Sequence, residues 1–265
     1  MNEWNRIDRG TGRPLLLLHG GGSSSRCWLP VIDRLATERR VIAFDFPGFG
    51  KTPAPDPTIT FSMDWATDEL GAELARLGIA TPVDIAGNSM GGWMALEAAK
   101  RSLARSVVAI GPAGLWAKGL PRAARMHFAT GLRAARLTHR HGRRVFEVPA
   151  MRALAMSVVV ANPRKMTADE AFGVLEDLRV SEATLRRALR VGIVTRFEGG
   201  QSIDVPVTVA FGSRDRMVPA RTSQFRDQLP VHTRWRTLAG CGHVPMFDDP
   251  DLVASTILEG TTHLG

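Results

Sequence analysis

The stretch Val83-Asp84-Ile85-Ala86-Gly87-Asn88-Ser89-Met90-Gly91 decides how the rest of the chain is read. Val83–Ala86 is a short, largely apolar run of the kind a buried strand shows, and an Ala- and Leu-rich helical pattern opens at Met90. Between them a serine sits on a turn with glycines two residues before and two after. A strand-to-helix turn this sharp strains the serine backbone, and only small residues at those two positions let neighbouring chain pass. The turn thrusts the hydroxyl into the open, and the helix behind it points its first amides at the same place.

On either side of this stretch, apolar runs alternate with helical patterns. Strands are predicted at Trp4–Asp8, Pro14–Leu18, Arg40–Phe44, Val83–Ala86 and Ser106–Ile110, with helices at Leu29–Thr37, Met63–Leu77 and Met90–Arg101. Such alternation indicates an α/β protein whose mostly parallel sheet is covered on both faces. From Leu115 to Phe197 the strand signal gives way to helices rich in Ala, Arg, Leu and Met, broken at Pro121, Gly142, Pro149 and Pro163. Alternation resumes with a strand at Val207–Phe211, a helix near Ala220–Gln228, a strand at Thr233–Thr237 and a closing helix from Pro250. The expected organisation is a core of residues 1–114 and 198–265 interrupted by a helical insertion over 115–197.

At 265 residues the chain is long enough for one large core carrying such an insertion. The N-terminal MNEWNRIDRG lacks the apolar stretch of a signal peptide and no run of 18 apolar residues occurs, so a cytoplasmic location without membrane insertion is expected. The formal net charge of +8 is unevenly spread. Residues 115–197 hold 16 Lys and Arg against 6 Asp and Glu, and the remainder 18 against 20. A basic segment of this kind is first of all a solvated helical surface; nucleic acid, an anionic membrane surface and an acidic protein partner are the alternatives, of which the acidic partner is expected and nucleic acid is not. Cys27 and Cys241 are too few for a disulfide framework or a thiolate zinc site, and are read as free thiols.

A serine hydroxyl becomes a nucleophile when a base takes its proton, and the usual base is a histidine oriented by a carboxylate. Two later loops supply both. After Val207–Phe211 comes Gly212-Ser213-Arg214-Asp215, and after the next strand comes Gly240-Cys241-Gly242-His243-Val244-Pro245. The chain order Ser89, Asp215, His243 is nucleophile, acid, base. Asp248 and Asp249 are weaker acid candidates, better explained as N-caps of the last helix. A phosphate-loop reading of Gly48-Phe49-Gly50-Lys51-Thr52 fails, because Asp45 stands where the first glycine is needed.

These residues resemble the α/β-hydrolase fold, specifically its capped esterase and lipase type. The resemblance runs through His19-Gly20, Asp45-Phe46-Pro47-Gly48-Phe49-Gly50, Gly87 to Gly91, Asp215 and His243, almost the whole chain. It implies a cap made by the insertion and an oxyanion hole built from the amides of Gly21 (Gly22 as second choice) and Met90, with His19 structural. Members often carry a further N-terminal strand, for which this chain has little room, so seven strands are expected. Relatives that open epoxides or carbon–halogen bonds use an aspartate nucleophile, so serine at 89 implies acyl chemistry on a small-molecule ester with no metal or cofactor. Gly22, Trp28, Trp116, Met126 and Met156 are the expected substrate contacts, with Phe128, Met151 and Val158–Val160 as further candidates. A lactonase, a C–C bond hydrolase, a perhydrolase, an acyl-carrier-protein ester hydrolase recruited by the basic cap and a non-catalytic ligand sensor are the alternatives.

Overall fold

A computed structural model describes residues 3–117, 119–191 and 195–262. Seven strands form one sheet: β1 Arg6–Arg9, β2 Pro14–Leu18, β3 Arg40–Phe44, β4 Val83–Asn88, β5 Ala104–Ile110, β6 Val207–Gly212 and β7 Arg234–Leu238. Their order is β1-β3-β2-β4-β5-β6-β7, with β1 antiparallel to β3 and every other pairing parallel. This is the α/β-hydrolase fold. The chain runs from β2 outward to β3 and returns to β4 on the other side of β2. The strand order therefore reverses there, and the loops leaving β2 and β4 face one crevice.

The helices are α1 Leu29–Ala36, α2 Met63–Arg76, α3 Met90–Lys100, α4 Arg122–His139, α5 Arg144–Glu147, α6 Pro149–Met156, α7 Ala168–Val180, α8 Glu182–Val191, α9 Ala220–Ser223 and α10 Pro250–Gly260. The period-2 geometry of a strand explains how β2 holds both layers together. Leu16 and Leu18 join the core under α2 and α3, while Leu15 and Leu17 join that under α1 and α10. With both faces covered, the strand appears in sequence as an unbroken run of leucines.

Helices α4 to α8 lie between β5 and β6 and close over the carboxyl edge of the sheet. Glycines mark where they touch it. A Cβ on Gly22 would stand 2.6 Å from Leu178 of α7, and one on Gly48 would collide with Thr184 of α8. A Cβ on Gly242 would come within 2.7 Å of the Ala161 amide. Among the described residues no helix is long and apolar enough to cross a membrane.

Two elements differ from expectation. β1 begins at Arg6, because Trp4 is drawn into the core edge-on against Phe44 and Phe46, at 5.7 and 5.8 Å between ring centres. The helix after β6 is a single turn, α9, because the Phe225 amide donates instead to Leu115 O at 3.1 Å.

Candidate active site

Ser89 stands between β4 and α3 with φ 55° and ψ −114°, a conformation L-residues avoid. Its N–H donates to Ile110 O at 2.9 Å, and its carbonyl accepts from Trp93 N at 3.1 Å and Ala113 N at 3.0 Å. These bonds hold a backbone whose strain costs of order 1–3 kcal/mol. The flanking glycines are a matter of space. A Cβ on Gly87 would collide with Gly91 O, and one on Gly91 with Leu18 O of β2.

Asp215 and His243 come from the loops after β6 and β7. His243 Nδ1 and Asp215 Oδ2 are 2.8 Å apart, and both side chains are buried. The other carboxylate oxygen accepts from Met217 N at 2.9 Å and Val218 N at 2.8 Å. Burial raises the Asp215 pKa, but the His243 charge and hydrogen bond, with the two amides, outweigh it and hold the carboxyl below its ordinary value. With Nδ1 engaged, His243 Nε2 is buried and has no hydrogen-bond partner among the described residues. Ser89 and His243 line one cavity without being hydrogen-bonded to each other.

The histidine loop is tied down by a residue read differently from sequence. Asp248 is not the N-cap of α10: its buried carboxylate accepts from Gly242 N at 2.8 Å, Ala161 N at 3.0 Å and Asn162 N at 2.7 Å. It thereby couples the residue before His243 to the segment after α6. The N-cap of α10 is Asp249, which accepts from Leu252 N at 3.0 Å. Asn88 adds a further tie by donating to His243 O at 2.9 Å.

The glycine loop after β2 lies on the other side of Ser89. Gly20 packs on the serine, since a Cβ there would stand 3.2 Å from Ser89 Cβ. Gly21 and Gly22 line the same cavity, and Met90, first residue of α3, has an amide that no intrahelical carbonyl accepts. His19 spends both ring nitrogens on the frame. Nδ1 bonds Gly20 O at 2.8 Å and Nε2 accepts from Phe46 N at 3.1 Å, while burial pushes its pKa down. The buried Asp45 accepts from Ser25 N at 2.6 Å, fastening the far end of the loop.

The cavity measures about 360 Å³ and its wall is shared between these loops and the insertion. Gly22 and Met156 lie in the wall, as do Phe128, Met151 and Val158 to Val160. Trp28, Trp116 and Met126 do not. The Ser25–Trp28 turn carries Trp28 into the core beneath α1, fully buried. Trp116 stacks edge-on against Trp93 at 6.2 Å and donates to Thr195 O at 2.7 Å. Met126 is on the outer side of α4, 63% exposed. Wall residues absent from the sequence reading include His127, Thr130, Gly131, Ala134 and Thr138 of α4. Their signal is a helical repeat of small and polar positions one turn apart, distinct from the arginine face.

An elbow serine at the switch point, with a carboxylate–imidazole pair on the last two strand loops, is the architecture of α/β-hydrolase enzymes. The family model described as the alpha/beta hydrolase family matches residues 15–256, and the chain belongs to that family. It is 33% identical over 205 residues to an epoxide hydrolase of Mycobacterium tuberculosis, covering 74% of this chain and 95% of that protein. It is 27% identical over 272 residues to a 2-hydroxy-6-oxo-6-(2'-aminophenyl)hexa-2,4-dienoic acid hydrolase of Metapseudomonas resinovorans, covering 97% and 86%. The solved enol-lactonase of Burkholderia xenovorans LB400 shares the fold, with a TM-score of 0.73 at 18% identity over 98% of this chain and 96% of that one. These relatives break different bonds, and hydrolysis is their common ground.

Proposed function

We propose that this protein hydrolyses carboxylic esters through an acyl-enzyme formed on Ser89, with the insertion as its cap. The observation that carries the reading is the buried His243, held through Nδ1 by an ionised Asp215 and lining one cavity with Ser89, its Nε2 without a partner among the described residues. Ser89 Oγ attacks the ester carbonyl carbon while its proton passes to His243 Nε2. Asp215 stabilises the imidazolium, and the amides of Gly21 and Met90 receive the oxyanion. Each such amide contributes roughly 3–4 kcal/mol to lowering the barrier. The C–O bond breaks, the alcohol leaves with the proton from His243, and water repeats the sequence on the acyl-enzyme.

Likeness to an epoxide hydrolase does not carry over to that reaction. A carboxylate that opens an epoxide forms an ester, which water can cleave. A serine would form an ether, which this machinery cannot turn over. Lactones and activated C–C bonds remain open to the same triad, since each presents a carbonyl carbon to Ser89.

The reading predicts hydrolysis of short-chain p-nitrophenyl esters by the wild type and a fall of 10³-fold or more, to order of magnitude, in Ser89→Ala. Equal rates in the two proteins would defeat it. The same assay run with lactones and a β-diketone ranks the alternatives.

A second reading concerns delivery of the substrate. Residues 115–146 hold eight basic and no acidic residues. At about 100° per residue, Arg122, Arg125, Arg133, Arg136 and Arg140 fall within about 80° of one another around α4. Arg136 is paired with Glu182, while no carboxylate among the described residues pairs with the other four. This stripe supports docking of an acidic acyl-carrier protein. Turnover of a carrier-bound ester then falls steeply between low and physiological salt while that of the free ester does not. Matching salt responses would remove the partner.

A further inference from the structure

Five wall positions of α4, His127, Thr130, Gly131, Ala134 and Thr138, fall within about 100° of one another around the helix. The arginine stripe of the same helix is centred roughly 150° away from them. The helix thus turns its charges outward and a neutral face inward. The rest of the wall agrees with it: among the described residues that line the cavity there is no Lys, Arg, Asp or Glu. Burial pushes the Cys27 thiol pKa up, against a hydrogen bond with Ser23, so Cys27 adds no charge. The polar groups of the wall are turned to the protein's own frame. The Thr130 hydroxyl donates to Met126 O at 2.9 Å and that of Thr138 to Ala134 O at 2.8 Å. Asn88 donates to Ile110 O at 3.1 Å and His243 O at 2.9 Å, and His127 Nδ1 is sealed inside the protein. The other large side chains of the wall, Phe128, Phe146 and Leu175 among them, are aromatic or aliphatic.

Residues that line the cavity and also stand exposed mark its mouth: Thr130 on α4, and Met151 and Leu154 on α6, the last two 46% and 72% exposed. An entering molecule meets large apolar side chains at the mouth and an apolar wall behind it. An ion of either sign gives up its water there and finds no fixed opposite charge in the described wall, which lowers kcat/KM by about a hundred-fold or more. The arginines act in the opposite sense on an anion, drawing it toward the surface. They stand in solvent, however, and their field fades over about 8 Å at physiological salt. Loss of hydration wins. Resting on the ester-hydrolase reading, we infer that the substrates are esters of uncharged, apolar acyl chains, and that the cavity wall rejects acyl chains carrying a charge of either sign. The class differs in charge from the dienoic acid named for the Metapseudomonas resinovorans relative.

The test is a charge scan with p-nitrophenyl esters at about pH 8, where an imidazole of ordinary basicity is uncharged. The adipate half-ester places a carboxylate at the chain end, and 6-methylheptanoate is the hydrocarbon of the same shape. The 6-(trimethylammonio)hexanoate ester places a cation there, and 7,7-dimethyloctanoate is its hydrocarbon match. From acetate to hexanoate, kcat/KM rises roughly four-fold per methylene as the chain covers apolar wall. Each ionic ester lies about a hundred-fold or more below its match, and the neutral adipamate ester falls between adipate and 6-methylheptanoate. Both ratios hold between about 0.05 and 0.5 M salt, because the wall is out of reach of screening ions. Adipate turned over as fast as 6-methylheptanoate overturns the inference. Rejection of the cation alone, or a ratio that collapses in salt, means that the arginine surface decides, and rejection of the anion alone means that a carboxylate reaches the bound chain; each contradicts it. These outcomes, read on turnover that Ser89→Ala abolishes, leave the ester-hydrolase reading standing. Absence of Ser89-dependent turnover with every ester removes that reading, and this one with it.

Discussion

At the residue scale, identical letters do different jobs. Gly71 and Gly91 both lie in helices. A Cβ on Gly71 would meet Leu103 at 3.5 Å, an ordinary contact, whereas one on Gly91 would collide with Leu18 O and stand 2.7 Å from His19 O. Gly91→Ala therefore pushes the elbow off β2 and destabilises the fold by more than about 2 kcal/mol. Gly71→Ala gains helix propensity of up to about 1 kcal/mol. Urea denaturation of the two variants checks this, and equal midpoints would contradict the elbow packing. The glycine at 91 was legible in sequence because the turn demands it. The packing that excludes a side chain at 22, 48 and 242 was not, since the atoms that do so belong to the insertion, remote in sequence.

At the element scale, the insertion is fastened to the carboxyl edge of the sheet by carboxylates. Asp248 bridges the loop of His243 to the segment after α6. Asp177 of α7 bridges to the glycine loop, accepting from Ser24 Oγ at 2.6 Å with Arg26 at 3.5 Å. Burial raises the Asp177 pKa from 3.8 to about 6, against the opposing effects of Ser24 and Arg26, with Asp45 and Glu176 adding like charge. The folded state thus holds this proton more tightly than the unfolded chain. Its stabilising effect is complete below the unfolded value and is lost as pH rises through about 6. Asp177→Asn is neutral throughout, so relative to it the wild type loses stability between pH 4 and 7, by at most about 3 kcal/mol. Denaturation midpoints across that range measure the difference, and parallel curves would refute it.

At the scale of the whole molecule, the sheet was readable because strands covered on both faces appear as apolar runs. Pro14–Leu18 and Arg40–Phe44 are found where those runs lie. The edges were less readable. Trp4 looks like strand but is pulled inward by two phenylalanines, and the helix after β6 is cut short by a bond to Leu115. The site loops were legible because backbone geometry there restricts residue type. The cavity wall was less so, because which face of an inserted helix turns inward depends on packing. Met126 faces solvent beside the arginine face of α4, while Met156 is buried in the wall.

The central claim is that Ser89 is a nucleophile activated by His243. Treatment with a fluorophosphonate, followed by peptide mass analysis, tests it without knowledge of the substrate. The account predicts one adduct, on Ser89, absent in Ser89→Ala and formed far more slowly in His243→Ala. No adduct in the wild type, or one placed instead on Ser23, Ser24 or Ser25, would contradict it.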